Sequence, residues 1–187
     1  ARTRELVRGA DVLVLERDEK PSGSTALSTG LIPAAGTKLQ KALGIDDTPA
    51  LLAQDIIAKA KGQNDPAIVD VVARTSGPTI DWLNEVHGVA FSLVQGFMYP
   101  GHSRLRMHGT PNRTGTELEA ALLAAVGRLD IDVLASATAT DLYADRTGRA
   151  TAVRFARPDG STETSARSRG CGPMRTRTAR SATSSTP

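Results

Sequence analysis

Residues 10–35, ADVLVLERDEKPSGSTALSTGLIPAA, constrain this chain more than any other stretch. An apolar run, Val12-Leu13-Val14-Leu15, stops at Glu16, and a segment rich in Gly, Ser and Thr follows. A buried strand ending in a carboxylate suits a nucleotide fold, because the acid can accept hydrogen bonds from both ribose hydroxyls there. Small residues downstream let the backbone approach a phosphate or a flat ring. The alternatives are a solvent-facing acid after a strand and an ordinary Ser/Thr-capped helix start.

The remaining pattern alternates helices and strands. Ala1 to Arg8 reads as the end of a helix stopped by Gly9, and Asp11 to Leu15 as the strand. Ser24 or Thr25 can cap the next helical turn. Thr48-Pro49 and Asp65-Pro66 each place a capping side chain before a proline at the first helical position. Their helices carry Leu51, Leu52, Ile56 and Ile57, then Ile68, Val69 and Val72, at helical spacing. Pro78 is expected to open a third helix with Ile80, Leu83 and Val86 inward, ended by Gly88. Residues 89–109 lack a clean period and read as a loop with short extended pieces. Thr114 and Glu117 form a capping box for a helix to about Val126, whose apolar face is Leu118, Leu122 and Ala125. Short strands follow near Ile131–Leu134, Thr138–Tyr143 and Ala150–Phe155, with turns at Asp145–Gly148 and Pro158–Gly160.

The Glu16 region resembles the second strand and following loop of the FAD-binding domain in the fumarate reductase/succinate dehydrogenase flavoprotein family. The matching positions are Val14, Glu16 and Arg17, then Ser22-Gly23-Ser24-Thr25, then Thr29-Gly30-Leu31-Ile32-Pro33-Ala34-Ala35. Ser22 and Leu31 stand where that family has glycines, and Pro33 where many members have Asn. A second match, YPGHSRLRMHGTPNRTGTELEAALL from Tyr99 to Leu123, resembles the G-H-S-x-x-R…H…T-G-x-x-L stretch of the L-aspartate oxidase relatives. His102, Arg106, His108, Thr114 and Gly115 are shared, with a one-residue difference in spacing before His108.

The resemblance implies an α/β fold, an incomplete Rossmann-like FAD-binding domain with a parallel sheet, flanking helices and a small β-meander. It implies FAD as cofactor, with Glu16, Arg17, Gly23, Ser24, Thr25, Ser28, Thr29, Gly30, Leu31 and Ala139 as its contacts. The implied activity is oxidoreduction of a C–C bond in a small carboxylated or ketone substrate. The electron donor or acceptor is left open. His102, Arg106 and His108, with Arg104, form the one cluster of His and Arg, and could line the substrate side of that site; a solvated loop is the alternative. Trp82 and Tyr99 read as core or loop anchors rather than flavin stackers.

Composition narrows the other classes. Five of the 23 basic side chains, Arg167, Arg169, Arg175, Arg177 and Arg180, lie beyond Ala166 with no acid among them, leaving 18 against 20 acids in the rest. The body is slightly acidic, which argues against a nucleic-acid face and against a basic-tailed binding protein. A single cysteine, Cys171, excludes an internal disulfide or a Cys-rich metal site, and two loop histidines without a third ligand do not make a metal centre. No His–Asp pattern accompanies Ser24, so no hydrolase is expected. No apolar run approaches a membrane span of about 18 residues, and a cytoplasmic location is expected.

From about Ser161 the text turns to Arg, Ser, Thr, Gly and Pro, so residues 1–160 are expected to form the domain and 161–187 a basic tail, disordered or read off-frame. No G-x-G-x-x-G occurs in the 187 residues, and the chain reads as part of a larger flavoprotein. The competing reading is a non-catalytic remnant or partial gene product. Without the pyrophosphate-cradling turn, several charge-assisted hydrogen bonds of about 1.5–3 kcal/mol each are absent. The chain alone is therefore expected to bind FAD weakly and to lose it on gel filtration. Stoichiometric flavin absorbance surviving the column would contradict this.

Overall fold

The computed structural model describes residues 12–129, 131–166 and the backbone of 176–179. The expected helix at Ala1–Arg8, its stop at Gly9, and Cys171 lie outside the described residues. Contacts divide the chain into two units, one formed by residues 1–22 with 129–187, the other by residues 23–128.

In the first unit, strand β1 (Val12–Leu15) pairs in parallel with β5 (Ile131–Leu134), Val12 opposite Ile131 and Leu15 opposite Leu134. The ladder continues past β1, because the Glu16 N–H donates to Leu134 O (2.9 Å) and the Glu16 carbonyl accepts from Ala137 N–H (2.8 Å). Strands β6 (Thr138–Ala144), β7 (Ala150–Ala156), β8 (Thr162–Ala166) and β9 (Thr176–Ala179) form an antiparallel sheet in chain order. Phe155 on β7 is wholly buried.

Strands β8 and β9 lie past the expected boundary at residue 160. Their sequences, TETSA and TRTA, lack long apolar residues, and for that reason the composition reads as a tail. Threonine nevertheless suits an extended backbone, and the ladder to β7, Phe155 opposite Glu163, supplies the partner that sequence composition does not reveal. Residues 167–175 and 180–187 of the expected tail lie outside the described residues.

The second unit contains α1 (Ser24–Leu27), β2 (Ile32–Pro33), α2 (Lys38–Ala42), α3 (Pro49–Lys59), α4 (Pro66–Glu85), β3 (Ser92–Leu93), β4 (Met107–Gly109) and α5 (Gly115–Val126). Thr48 caps α3 and Asp65 caps α4, each followed by its proline, as the sequence predicts. α2 carries a full capping box between Thr37 and Gln40, which the sequence reading did not identify. On α5, Thr114 Oγ1 accepts from Glu117 N–H (3.2 Å), but the Glu117 carboxylate turns to Asn112 N–H (2.8 Å) instead of closing the box. At α1 the N-cap is Gly23 with no side-chain cap; Ser24 and Thr25 lie inside the turn rather than capping it.

Pro78 does not open a helix. α4 runs unbroken through it, with Val69, Ala73, Gly77 and Ile80 buried along one face. Proline removes one helical hydrogen bond and its ring is exposed, whereas breaking the helix would uncover that continuous face. The small residues Ala73 and Gly77 take inward places; Val86, expected inward, is exposed, as are Ile68 and Val72 on α4 and Ile57 on α3. The face of α5 matches expectation, with Leu118 and Ala125 buried and Leu122 packed against the core.

The segment after β2 threads between two apolar clusters. Ala34 packs with Ile80, Val89, Phe91 and Leu118, and Ala35 with Leu52 and Ala73. α4 lies against this backbone so closely that a Cβ on Gly77 would fall 2.2 Å from the Ala35 carbonyl oxygen. In an exposed helix, Gly→Ala gains about 1 kcal/mol of stability. Here Gly77→Ala is expected to cost about 1–3 kcal/mol, since helix or segment must move apart. A urea denaturation midpoint below that of the unsubstituted chain is the expected result, and an unchanged or higher one would refute the contact.

Among the described residues, no helix is long and apolar enough to cross a membrane.

Candidate functional site

Two stretches about 75 residues apart in sequence meet in one small sheet. β4 is central, pairing antiparallel with β2 (Ile32 opposite His108) and with β3 (Leu93 opposite His108). The Ala34 N–H donates to Arg106 O (3.0 Å), extending the ladder beyond Pro33, which has no N–H to give. Gly30 sits at φ 64°, a left-handed backbone that glycine adopts freely, and its missing Cβ would lie 2.7 Å from Thr114 O. The GSTALSTGLIP and HSRLRMHGTPNRTG segments are thus neighbours within the second unit.

Arg106 is the centre of a buried polar network. Its Nε and Nη2 bond the two Asp47 carboxylate oxygens at 2.7 and 2.9 Å, and Nη1 bonds Asp55. The side chains of Arg106 and Asp47 are wholly buried and that of Asp55 is 17% exposed. Both carboxylates accept further hydrogen bonds. Asp47 accepts from Gln40 Nε2 (2.9 Å) and Thr48 N–H (2.9 Å), and Asp55 from Ser103 N–H and Oγ (2.8 Å each). Burial works against charge at both ends, yet the paired charges and hydrogen bonds outweigh it. The Asp55 carboxyl is held down to about 2, and the Arg106 guanidinium is pushed further up from its already high value.

His108, also wholly buried, is fixed from both sides of its ring. Its Nδ1 lies 2.8 Å from the Arg106 carbonyl, which can only accept, so Nδ1 carries the proton. Nε2, 2.9 Å from Thr37 Oγ1, then accepts from that hydroxyl. Burial lowers the His108 pKa, and outweighs the Arg106 and Ile32 carbonyls and the Asp81 charge, which raise it, in keeping with a neutral ring. His102 differs. It is half-buried, its ring lies 6.0 Å from that of Tyr99, and its Nδ1 is buried without a hydrogen-bond partner. Burial and the nearby Arg106 charge lower its pKa. Arg104 is exposed and donates to Asp46 O (3.0 Å) and Ser103 O (2.9 Å). The solvated-loop alternative thus describes Arg104 and not Arg106 or His108. Trp82 packs edge-on to His87, and Tyr99 edge-on to Phe97.

The expected cofactor contacts divide by exposure. Ser24, Thr25 and Thr29 are exposed in the second unit, as are Gly23 and Ser28, while Gly30 is buried and Leu31 half-buried. The Ser28 hydroxyl is already engaged, donating to Thr25 O (2.7 Å) and accepting from Gly30 N–H (3.0 Å). In the first unit Glu16 is half-buried at the end of β1 and accepts from Asp18 N–H (2.8 Å), while Arg17 pairs with Asp18 on the surface (3.0 Å). Ala139 is exposed on β6 opposite Phe155. In the first unit a strand-end carboxylate is of the type that suits ribose hydroxyls, and in the second unit neutral hydroxyls beside glycine are of the type that suits phosphate oxygens.

The sequence reading passed over Asp47 and Asp55. Asp55 lies three residues after Leu52 and one before Ile56, on the inward side of an apolar helix, and an acid placed there requires a buried cation. Replacing Arg106 by Leu leaves two carboxylates without their partner, which is expected to cost about 3–5 kcal/mol of stability. Asp55 adds a pH signature. Its folded value of about 2 lies below the ordinary 3.8, so its contribution is complete above that value and is lost as pH falls toward 2. Urea midpoints of the unsubstituted chain and Asp55→Asn should therefore differ most at neutral pH and converge over that acid window. A gap independent of pH would contradict the ion pair.

Comparison with known proteins gives the family and the fold. Residues 4–172 match the family model described as FAD binding domain. A fumarate reductase (cytochrome) of Shewanella frigidimarina is 36% identical over 75 residues, covering 40% of this chain and 13% of that protein. The urocanate reductase of Eggerthella lenta is 28% identical over 141 residues, covering 75% of this chain and 23% of that protein. Among solved structures, the 3-ketosteroid-delta4-(5alpha)-dehydrogenase of Rhodococcus jostii RHA1 superposes with a TM-score of 0.70 at 26% identity, covering 83% of this chain and 38% of that one. The open conformation of a flavocytochrome c3 fumarate reductase shares the fold, with a TM-score of 0.66 at 18% identity over 82% of this chain and 32% of that one. The chain therefore spans less than a quarter of the length of these two curated relatives. It belongs to the FAD binding domain family.

Proposed function

We propose that this chain is the FAD-binding part of an oxidoreductase acting on a C–C bond activated by a carboxylate or ketone. The observation that carries the reading is the meeting of the two family-like segments at β2, β4 and the start of α5, in a chain whose family is FAD-binding. The relatives' names, fumarate reductase, urocanate reductase and a ketosteroid dehydrogenase, support that substrate class. FAD, when bound, supplies the hydride exchange with such a bond.

The chain's own residues bind and position. Glu16 takes the ribose hydroxyls, and Ser24, Thr25 and Thr29 offer exposed hydroxyls to the phosphates and the flavin edge. Gly23, Gly30 and Leu31 let the backbone come close, and Arg17 and Ala139 are the remaining contacts assigned to the first unit. Of the three substrate-side candidates, His102 is the one that is only half-buried, although its Nδ1, which has no hydrogen-bond partner, is itself buried, and it is the residue we assign to the substrate side. Arg106 and His108 hold the segment that carries it.

Glu16→Gln keeps the side-chain shape but gives up the charge that ribose hydroxyls bond. A hydrogen bond to a charged group contributes about 1.5–3 kcal/mol, so FAD affinity should fall roughly tenfold or more. The melting temperature without FAD should change little, since Glu16 is only half-buried and Gln keeps an oxygen that can accept from Asp18 N–H. Fluorescence titration of FAD with both forms, beside their melting curves, makes the test. Equal dissociation constants would overturn the assignment of Glu16, and no saturable binding by the unsubstituted chain would overturn the functional reading.

A further inference from the structure

The α1 turn carries three of the exposed hydroxyls assigned to FAD or lies next to them, yet four residues cannot hold a helical turn unaided. Its support is the first turn of α5. The Gly115 N–H, one of the donors a helix leaves unpaired at its start, donates to Ser28 O at 2.8 Å. No side chain fits at position 115. A Cβ there would lie 1.7 Å from Thr25 O and 2.8 Å from both Ser28 O and Ser28 Oγ. On the other side, the Gly30 backbone meets Thr114 O where a Cβ would lie 2.7 Å away. Thr116 Oγ1 adds a long hydrogen bond to Ala26 O (3.4 Å).

We infer that the Thr114-Gly115 turn is a positioning element for the cofactor loop: it sets FAD affinity by fixing the backbone of residues 24–30, without itself touching FAD. The inference rests on the functional reading above. Thr114 acts through its cap, since Thr114 Oγ1 holds the Glu117 N–H and so keeps the first turn of α5 wound beneath Ser28. Gly115 acts through absence of bulk, because any Cβ must displace carbonyl oxygens of the loop rather than the end of a flexible side chain. Both residues belong to the T-G-x-x-L motif, so the seat gives a physical reason for that pair at that place.

Three variants test it: Gly115→Ala, Thr114→Ala and the conservative Thr114→Ser. Each is titrated with FAD, and hydrogen exchange at the amides of Leu27, Ser28 and Gly30 is followed without ligand. Gly115→Ala is expected to weaken FAD binding at least tenfold and to speed exchange at those amides. Thr114→Ala should weaken binding about threefold or more, with Thr114→Ser returning it to the original value; this pair carries the test if Gly115→Ala does not fold. A purely structural role would lower melting temperature in Thr114→Ala while leaving the FAD dissociation constant unchanged, and that result overturns the inference. Unchanged affinity in Gly115→Ala, in a chain that does bind FAD, overturns it alone. Absence of FAD binding by the unsubstituted chain overturns the functional reading and this inference with it.

Discussion

The ion pair of Arg106 with Asp47 and Asp55 is the interaction on which the second unit depends. A guanidinium withdrawn from water is tolerated only with full compensation, and three of its nitrogens each meet a carboxylate. The compensation fixes topology as well as charge. Asp47 precedes α3, Asp55 lies within it, and Arg106 stands one residue before β4, so the network ties the long loop from β3 to the helical layer. Gln40 adds a second tie, from α2 to Asp47 and to the Leu105 carbonyl (2.8 Å). With Arg106 anchored, its carbonyl is in place to accept from both Ala34 N–H and the His108 ring, and β4 is aligned for β2.

Close backbone approach does the rest of the positioning. Gly77 lets α4 reach Ala35, and Gly115 lets α5 reach Ser28. The Gly23–Ala35 stretch therefore has α5 against Thr25–Gly30, β4 beside Ile32–Ala34 and α4 against Ala35. Little of its stability comes from its own side chains, which are small and largely exposed up to Thr29. This arrangement leaves hydroxyls free while holding the main chain that bears them. Preorganisation of that kind lowers the ordering cost of binding, since a loop already fixed loses less freedom to its ligand.

Much of this was legible in the sequence, for identifiable reasons. The strand ending at Glu16, the caps Thr48 and Asp65, and the inward face of α5 all follow from local rules, in which a residue's neighbours in sequence are its neighbours in space. The failures are tertiary. Pro78 signals a helix start locally, but burial of Val69, Ala73, Gly77 and Ile80 on one face carries α4 through it. Ile68 and Val72 are larger and fall at helical spacing, yet they are exposed, because contact with the Ala35 backbone demands small residues and the helix turns Ala73 and Gly77 inward. Strands β8 and β9 depend on partners rather than on their own apolar residues. Asp47 and Asp55 were missed because their partner lies more than 50 residues away.

Resemblance to a family has a similar blind spot, since it weights matching positions without separating the physical jobs they do. His102, Arg106, His108, Thr114 and Gly115 match as one motif, and sequence alone offers them all as site residues. Their surroundings divide them. Arg106 and His108 are wholly buried with committed side chains, Gly115 is a point where backbone meets backbone, and His102 alone keeps a ring nitrogen without a partner. A buried, fully bonded residue influences a ligand only by holding something else still, so its loss should disturb folding and affinity together. An exposed hydroxyl such as that of Thr29, or the carboxylate of Glu16, can affect affinity while leaving the fold intact. Within the motif, Arg106, His108 and Gly115 make the frame, and burial sets them apart from the half-buried His102.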